Sequence, residues 1–201
     1  RHVLMKILSF TAALVFTVLI FASSGLCTES EPIQIQSIQA DFTQEKHLKI
    51  LAHPIVSTGK FIFAAPQSLR WEYKTPIPSI LLMHGGKIRK YIQKNARFIE
   101  DRGMRLDSMQ IVLAEISNWL DGRFNENDVF NVSQPDMHTV LLTPKDPSFA
   151  HLISRIELEL ADQLGLLDRV TIFEGPDSYT TMVFTNRILN EEIPVSIFSA
   201  P

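Results

Sequence analysis

The chain has 201 residues, one cysteine and a formal net charge of −3 at pH 7, and 45% of its residues are hydrophobic. Its lysines and arginines are scattered, so it lacks the dense basic patch that is typical of nucleic-acid-binding proteins. With one cysteine an intrachain disulfide is impossible, and a hydrophobic core must hold the fold. The length suits a single domain of this kind.

The beginning of the chain has the three-part pattern of a secretory signal. Arg1 and Lys6 precede an uncharged apolar run over 7–22, and small residues follow it. The run is shorter than the ~20 apolar residues that a transmembrane helix needs. We therefore predict a cleaved signal peptide over residues 1–27, export to the periplasm, and a single domain over residues 28–201. An uncleaved anchor is the alternative.

Cys27 stands where a bacterial lipoprotein would carry its acylated first residue. A lipobox requires a small residue immediately before the cysteine, whereas Leu26 occupies that position. We therefore expect Cys27 to be an ordinary residue of the signal region or of the tail behind it.

Short segments with alternating polarity dominate the rest of the chain. In the clearest, 155–160, Ile156 and Leu158 share one face while Arg155 and Glu157 share the other, as in a strand with one buried side. Prolines and glycines separate these segments and mark the turns. The predicted strands, with neighbours expected to follow chain order, are Gln39–Ile50, Ser57–Ala65, Ser68–Lys74, Ser79–Met83, Lys87–Gln93, Arg97–Glu100, Arg155–Leu160, Leu166–Phe173 and Tyr179–Thr185.

One segment has helical spacing instead. Between Asp107 and Leu120, apolar residues recur at steps of three and four, Asp107 or Ser108 can cap the amino end, and Gly122 can end the helix. Many one-faced strands with one good helix predict a mostly β fold, in which the helix covers a curved antiparallel sheet incompletely. Such an arrangement leaves room for an apolar groove.

The sequence lacks recognisable motifs of catalytic or metal-binding residues. It contains neither a Gly-x-Ser-x-Gly elbow nor histidines at metal-ligand spacing, and Gly85-Gly86 fits a hairpin turn better than a phosphate loop. The carboxylate pairs fall in loops or on exposed strand faces. We therefore predict no catalytic residue, no metal and no cofactor.

Apolar side chains are the most prominent candidates for function. On spacing alone they could form either the closed core of the domain or an open groove that holds an acyl chain. The candidates for lining the groove are Phe61, Phe63, Leu69, Trp71, Tyr73, Leu81, Met83, Met109, Leu113, Ile116, Leu120, Leu141, Met182 and Phe184.

A series of motifs resembles the outer-membrane lipoprotein carriers of the LolA type over about residues 37–200. The matching segments are Ala40–Gln44, Gly59–Phe61, Pro66–Tyr73, Pro76, Gly85–Gly86, Leu142–Pro144 and the pair Ile156 and Leu158. The resemblance implies an unclosed half-barrel with helices over its concave face. It also implies a monomeric, non-enzymatic periplasmic carrier of acylated lipoproteins, whose partners are an inner-membrane releasing complex and an outer-membrane receptor.

The chain departs from the family pattern at two places. Ala65 precedes Pro66 where the family commonly has an arginine that helps hold the helical lid, and Arg70 is no assured substitute. The amino-terminal helix is also short, because few residues precede Ile33, Ile35 and Ile38. These differences resemble diverged relatives that move another lipid or a lipid-linked product.

Two functions from other classes remain open. A lipid-modifying or hydrolytic envelope enzyme would depend on a polar residue such as His84 or Asp101. A structural envelope module would keep its signal as an anchor.

Overall fold

In a computed structural model, the described residues are 34–102, 115, 116, 118–120, 123–125, 128–150, 152–162, 166–199 and 201. They form one antiparallel sheet of 11 strands and two short 3₁₀ turns, Pro147–Phe149 and Val195–Phe198. The strands are β1 (Ser37–His47), β2 (Ile55–Ala64), β3 (Ser68–Thr75), β4 (Ser79–His84), β5 (Lys87–Lys94), β6 (Arg97–Glu100), β7 (Phe130–Ser133), β8 (Thr139–Pro144), β9 (Arg155–Leu160), β10 (Leu167–Phe173) and β11 (Tyr179–Leu189).

The strand order explains how the two halves of the chain become one sheet. Hairpin neighbours are adjacent throughout, but β1 pairs with β11, which gives the order β6-β5-β4-β3-β2-β1-β11-β10-β9-β8-β7. Sheet order therefore follows chain order within β1–β6 and within β7–β11, as expected, but not between these two halves, which join through β1 and β11. Among the described residues β6 and β7 are the two edges, so the sheet is unclosed. The predicted fold class, a mostly β half-barrel, is confirmed.

Alternation places the main core on one face of this curved sheet. In β9, Ile156 and Leu158 are fully buried while Arg155 is exposed, as their spacing predicts. In β1 and β11, Phe42 lies directly opposite Phe184 and both are buried. The buried apolar side chains that β1–β4 and β8–β11 direct to this face belong to one continuous cluster, so the concave face carries the core.

A second, smaller apolar cluster lies on the outer face of β3 and β4. Ile80 and Leu82 are buried there although Leu81 and Met83, their neighbours in β4, face the main core. The 3₁₀ turn Val195–Phe198 covers them and buries Phe198. The end of the chain thus seals this patch.

The segment predicted as a helix is described only in part. Glu115, Ile116 and 118–120 are helical, and Ile116, Trp119 and Leu120 are buried against the main core. The predicted start at Asp107 or Ser108, the stop at Gly122, and the side chains of Met109 and Leu113 lie outside the described residues. Within the described part, no helix is both long and apolar enough to cross a membrane.

Candidate functional site

The apolar residues predicted in β2, β3 and β4 face one another across the strands. Phe61 pairs with Trp71, and Trp71 pairs in turn with Leu81. The next row joins Phe63, Leu69 and Met83 in the same way. All are buried, because residues at alternate positions of three registered strands must share one face.

Aromatic rings fill the middle of this face. The centroid of Trp71 lies 5.2 Å from that of Phe42, 5.3 Å from that of Phe61 and 6.1 Å from that of Phe184, with the rings tilted or edge-on. Such edge contacts add about 0.5–1.5 kcal/mol per pair beyond the area that they bury. Phe42 was missing from the predicted lining residues, although it belongs to the quoted motif Ala40–Gln44.

Gly59 allows this packing. It lies opposite Phe42 in the β1–β2 register, and a Cβ added to it would clash with the carbonyl oxygen of Glu72 and come within 2.8 Å of the Phe42 ring. The glycine is therefore required for the close approach of β3 and for the position of the ring.

A cavity of about 20 Å³ lies between the concave face and the helical segment. This is room for about one water molecule. Its lining is almost entirely apolar and includes the predicted residues Phe61, Ile116, Leu120 and Phe184. Among the described residues, the lining is Ile38, Ala40, Phe61, Ile116, Leu120, Leu167, Phe184 and Arg187.

Other predicted groove residues lie elsewhere on the sheet. Leu141 pairs with Glu157 and is only half-buried, while its neighbour Leu142 pairs with Ile156 and is fully buried in the core. The inward positions of β8 therefore belong to Val140 and Leu142. Tyr73 is half-buried at the edge of the core, and its hydroxyl donates to Oε1 of Gln44 at 2.8 Å. Met182 is fully buried in the main core but does not line the cavity.

Arg70 lies on the outer face, away from the cavity. Its Nε donates to Oε2 of Glu72 at 2.9 Å, and its Nη1 donates to the carbonyl oxygen of Ile197 at 3.2 Å. Arg70 thus helps hold the 3₁₀ turn Val195–Phe198 against the sheet. Its described contacts are therefore with the turn on the outer face and not with the helical segment.

Arg187 is the charged residue among the described members of the cavity lining. Its Nη2 donates to the carbonyl oxygen of Leu167 and to Oδ1 of Asp168, both at 2.7 Å. Both partners belong to β10, at a point where the β9–β10 register shifts. The guanidinium therefore bridges β11 and β10 at the rim of the cavity. The sequence prediction overlooked Arg187, Ile38, Ala40 and Leu167.

Three buried polar groups are in unfavourable surroundings, the carboxyl group of Glu115 and the indole N–H groups of Trp71 and Trp119. Burial is the main cause that raises the pKa of Glu115, opposed by a hydrogen bond from the Asn118 side chain and reinforced by the negative charge of Asp128. The indole N–H groups of Trp71 and Trp119 are buried without a hydrogen-bond partner in the described part of the chain. An unmet buried donor costs about 1–3 kcal/mol.

Reactive groups are not gathered at this site. Among the described residues, no three histidine, cysteine, aspartate or glutamate side chains are placed to hold a metal ion. The arrangement instead offers a mainly apolar recess with one cation at its rim. An unclosed antiparallel sheet with such a recess under a helical segment defines a half-barrel of the ligand-binding type.

The family model of the outer membrane lipoprotein carrier protein LolA matches residues 33–201. The chain therefore belongs to the LolA family, whose members are periplasmic binding or carrier proteins. A comparison with curated proteins found no significant match.

Solved structures are similar to the chain at low sequence identity. A DUF1329 family protein from Desulfovibrio piger has a TM-score of 0.45 and 10% identity, over 82% of this chain and 90% of that chain. A LolA superfamily protein from Nitrosomonas europaea has a TM-score of 0.44 and 10% identity, over 84% and 92%. The MucA/MucB complex of Pseudomonas aeruginosa has a TM-score of 0.39 and 14% identity, over 82% and 56%. Since these TM-scores are below 0.5, the assignment depends on the family model.

Proposed function

We propose that this protein binds the acyl chain of a lipoprotein, or of another lipid, between the concave sheet face and the helical segment, and carries it across the periplasm toward the outer membrane. The supporting observation is the apolar cavity that Phe61 and Phe184 line from the sheet and Ile116 and Leu120 line from the helical side. Residues 1–27 would act as the export signal. Carriage needs no chemical step.

The energetics of an acyl chain explain why such a carrier is needed. Exposing an acyl chain of ~16 methylenes to water costs ~0.8 kcal/mol per methylene, so the chain is too insoluble to cross the aqueous periplasm without a carrier. The carrier must also release its cargo, which favours an adjustable recess over a deep, fixed pocket. A cavity of about 20 Å³ is too small for a chain of that length, so binding requires Ile116 and Leu120 to move away from the sheet.

Intrinsic fluorescence can follow this movement. The protein has 2 tryptophans, Trp71 and Trp119, and both are fully buried. We expect an uncharged dodecyl amide to bind saturably and to shift the emission of Trp119, which shares the helical segment with Ile116 and Leu120. Trp119→Phe should remove that shift without removing binding.

Filling the cavity provides a matched pair of variants. Ala40 lines the cavity, whereas Gln39 is half-buried on the opposite face of β1. Ala40→Leu places three further carbons in a space for about one water, and an overpacked site costs about 1–3 kcal/mol. It should weaken binding of the dodecyl amide about tenfold, while Gln39→Leu should leave it unchanged. Equal affinities for both variants, or no saturable binding to the wild type, would contradict the proposal.

A further inference from the structure

We propose that Arg187 binds an anionic head group, so that the preferred cargo is an acyl chain ending in a phosphate or carboxylate. This inference rests on the proposed function, because it assumes that the acyl chain enters the cavity which Arg187 borders. It adds the chemical class of the cargo and the residue that selects it.

A bulge in the sheet turns Arg187 toward the cavity. Met182 and Phe184 face the core, and uninterrupted alternation would send Asn186 inward and Arg187 outward. The β1–β11 register instead shifts between Gln39 and Asp41, and Asn186 adopts a positive φ of 52°. Such a bulge inserts one residue and reverses the faces that follow it.

Contacts on the outer face hold this reversal in place. Nδ2 of Asn186 donates to Oδ2 of Asp41 at 2.9 Å on the outer side of the sheet. After the bulge, Arg187 lines the cavity, Ile188 is exposed, and Leu189 packs against the core. The backbone irregularity thus has one clear result at the cavity, which is to place a guanidinium at an otherwise apolar lining.

The guanidinium has donors left for a ligand. Its side chain is 22% exposed, and the contacts that it makes with the described residues both use Nη2. Arginine carries five N–H donors in a planar fork that matches phosphate and carboxylate oxygens. Nε and Nη1 can therefore donate hydrogen bonds to an anion while Nη2 keeps its hydrogen bond to the carbonyl oxygen of Leu167.

The ion pair with Asp168 does not by itself explain the position of Arg187. Asp168 is 54% exposed, and ion pairs with an exposed partner contribute little to stability. An apolar recess with a cation at its rim is instead complementary to an amphiphile, whose chain fills the recess and whose charge meets the cation. Asp168 then competes with the head group for Arg187.

The test is displacement of the uncharged dodecyl amide by dodecyl phosphate, by dodecanol and by inorganic phosphate. We expect wild-type protein to bind dodecyl phosphate about tenfold more tightly than dodecanol, as a charge-assisted hydrogen bond requires. Inorganic phosphate should not displace the probe, which separates a lipid head group from a free anion. Arg187→Gln should abolish the preference, so that dodecyl phosphate and dodecanol displace the probe equally well.

Two further variants keep the test decisive. Arg169→Gln removes a neighbouring cation that pairs with Glu159 on the outer face of β10, and it should preserve the preference. Asp168→Asn removes the competing carboxylate and should tighten dodecyl phosphate binding about twofold to fivefold without affecting dodecanol. This variant decides the matter if Arg187→Gln does not fold.

The outcomes separate this inference from the proposed function. If the dodecyl amide does not bind at all, the carrier function fails. If it binds but dodecanol and dodecyl phosphate compete equally in the wild type, the role of Arg187 is wrong while the carrier function stands. The role of Arg187 is also wrong if Arg187→Gln still prefers dodecyl phosphate to dodecanol, or if Asp168→Asn binds dodecyl phosphate with wild-type affinity.

Discussion

The two faces of β4 are both apolar and both buried, yet they are covered in different ways. On the outer face, Ile80 and Leu82 lie under Phe198, and the covering turn is held by Arg70 and by Arg89, whose Nη2 donates to the carbonyl oxygen of Ser199 at 2.8 Å. On the inner face, Leu81 and Met83 belong to the main core, which elsewhere retains a cavity between the sheet and the helical residues Ile116 and Leu120. Burial alone therefore does not identify a binding face.

The inner face is itself divided into a tight part and a loose part. Around Gly59 and Phe42 the strands and rings approach so closely that no Cβ fits. Around Ala40 and Ile38 the packing leaves the cavity. We infer that the tight part fixes the curvature of the sheet and that the loose part is where a ligand enters.

The largest effect is expected at the tight part. Gly59→Ala should destabilise the protein by about 5 kcal/mol or prevent folding, because the new methyl group meets the backbone of Glu72. Gly86→Ala is the control, since nothing lies within 4 Å of its Cβ position and only its φ of 72° opposes a side chain. That strain costs about 1–2 kcal/mol. Urea unfolding measures the stability of both variants, and similar losses of stability would show that the packing around Gly59 is not unusually tight.

The sealed outer face should affect stability without affecting binding. Phe198→Ala empties a fully enclosed position and should lower the free energy of unfolding by about 3–5 kcal/mol. Val195→Ala in the same 3₁₀ turn is the matched control, because Val195 is 65% exposed, and it should change stability by less than about 0.5 kcal/mol. Folded Phe198→Ala protein should bind the dodecyl amide as the wild type does. Weakened binding would mean that the two faces are not independent.

The smallest effect concerns the charge beside the recess. The pKa of Glu115 is raised by burial, so the folded state holds its proton to a higher pH than the unfolded state does. Glu115 therefore lowers stability as pH rises through this range. Glu115→Gln should melt at the same temperature as the wild type in acid and at a higher temperature near neutral pH.

Asp146 provides a control of opposite sign. A hydrogen bond from the Ser148 backbone N–H is the main cause that lowers the pKa of Asp146, so its contribution to stability is present above the unfolded pKa and is lost as pH falls. The wild type should gain stability over Asp146→Asn as pH rises. If the stability of both variants relative to the wild type changed with pH in the same direction, the opposite pKa shifts of Glu115 and Asp146 would be contradicted.

The sequence predicted the strands well because alternation is a local signal. Residues 155–160 and the hairpin around Gly85-Gly86 form as expected. The pairing of β1 with β11 joins segments that are distant in the chain, so alternation could not reveal it. β7 and β8 were missed as well. β7 is only four residues long, Phe130–Ser133, and just Phe130 in it is buried.

The site was less predictable because register decides it. In the run Val140-Leu141-Leu142 each residue is apolar, and only the pairings with Leu158 and Ile156 show that Val140 and Leu142 face inward while Leu141 does not. Arg187 would point outward by strict alternation, and the bulge at Asn186 reverses it. One signal was available but unused, since the unbroken apolar run Ile80–Met83 is typical of a strand buried on both faces.

The central claim is that an acyl chain occupies the recess between the sheet and the helical segment. Mass spectrometry of the protein, purified gently from its native cell envelope, tests this most directly. We predict that an acylated molecule copurifies with the wild type and with Gln39→Leu but is depleted from Ala40→Leu. Absence of any acylated molecule from the wild type, or equal amounts on the two variants, would contradict it.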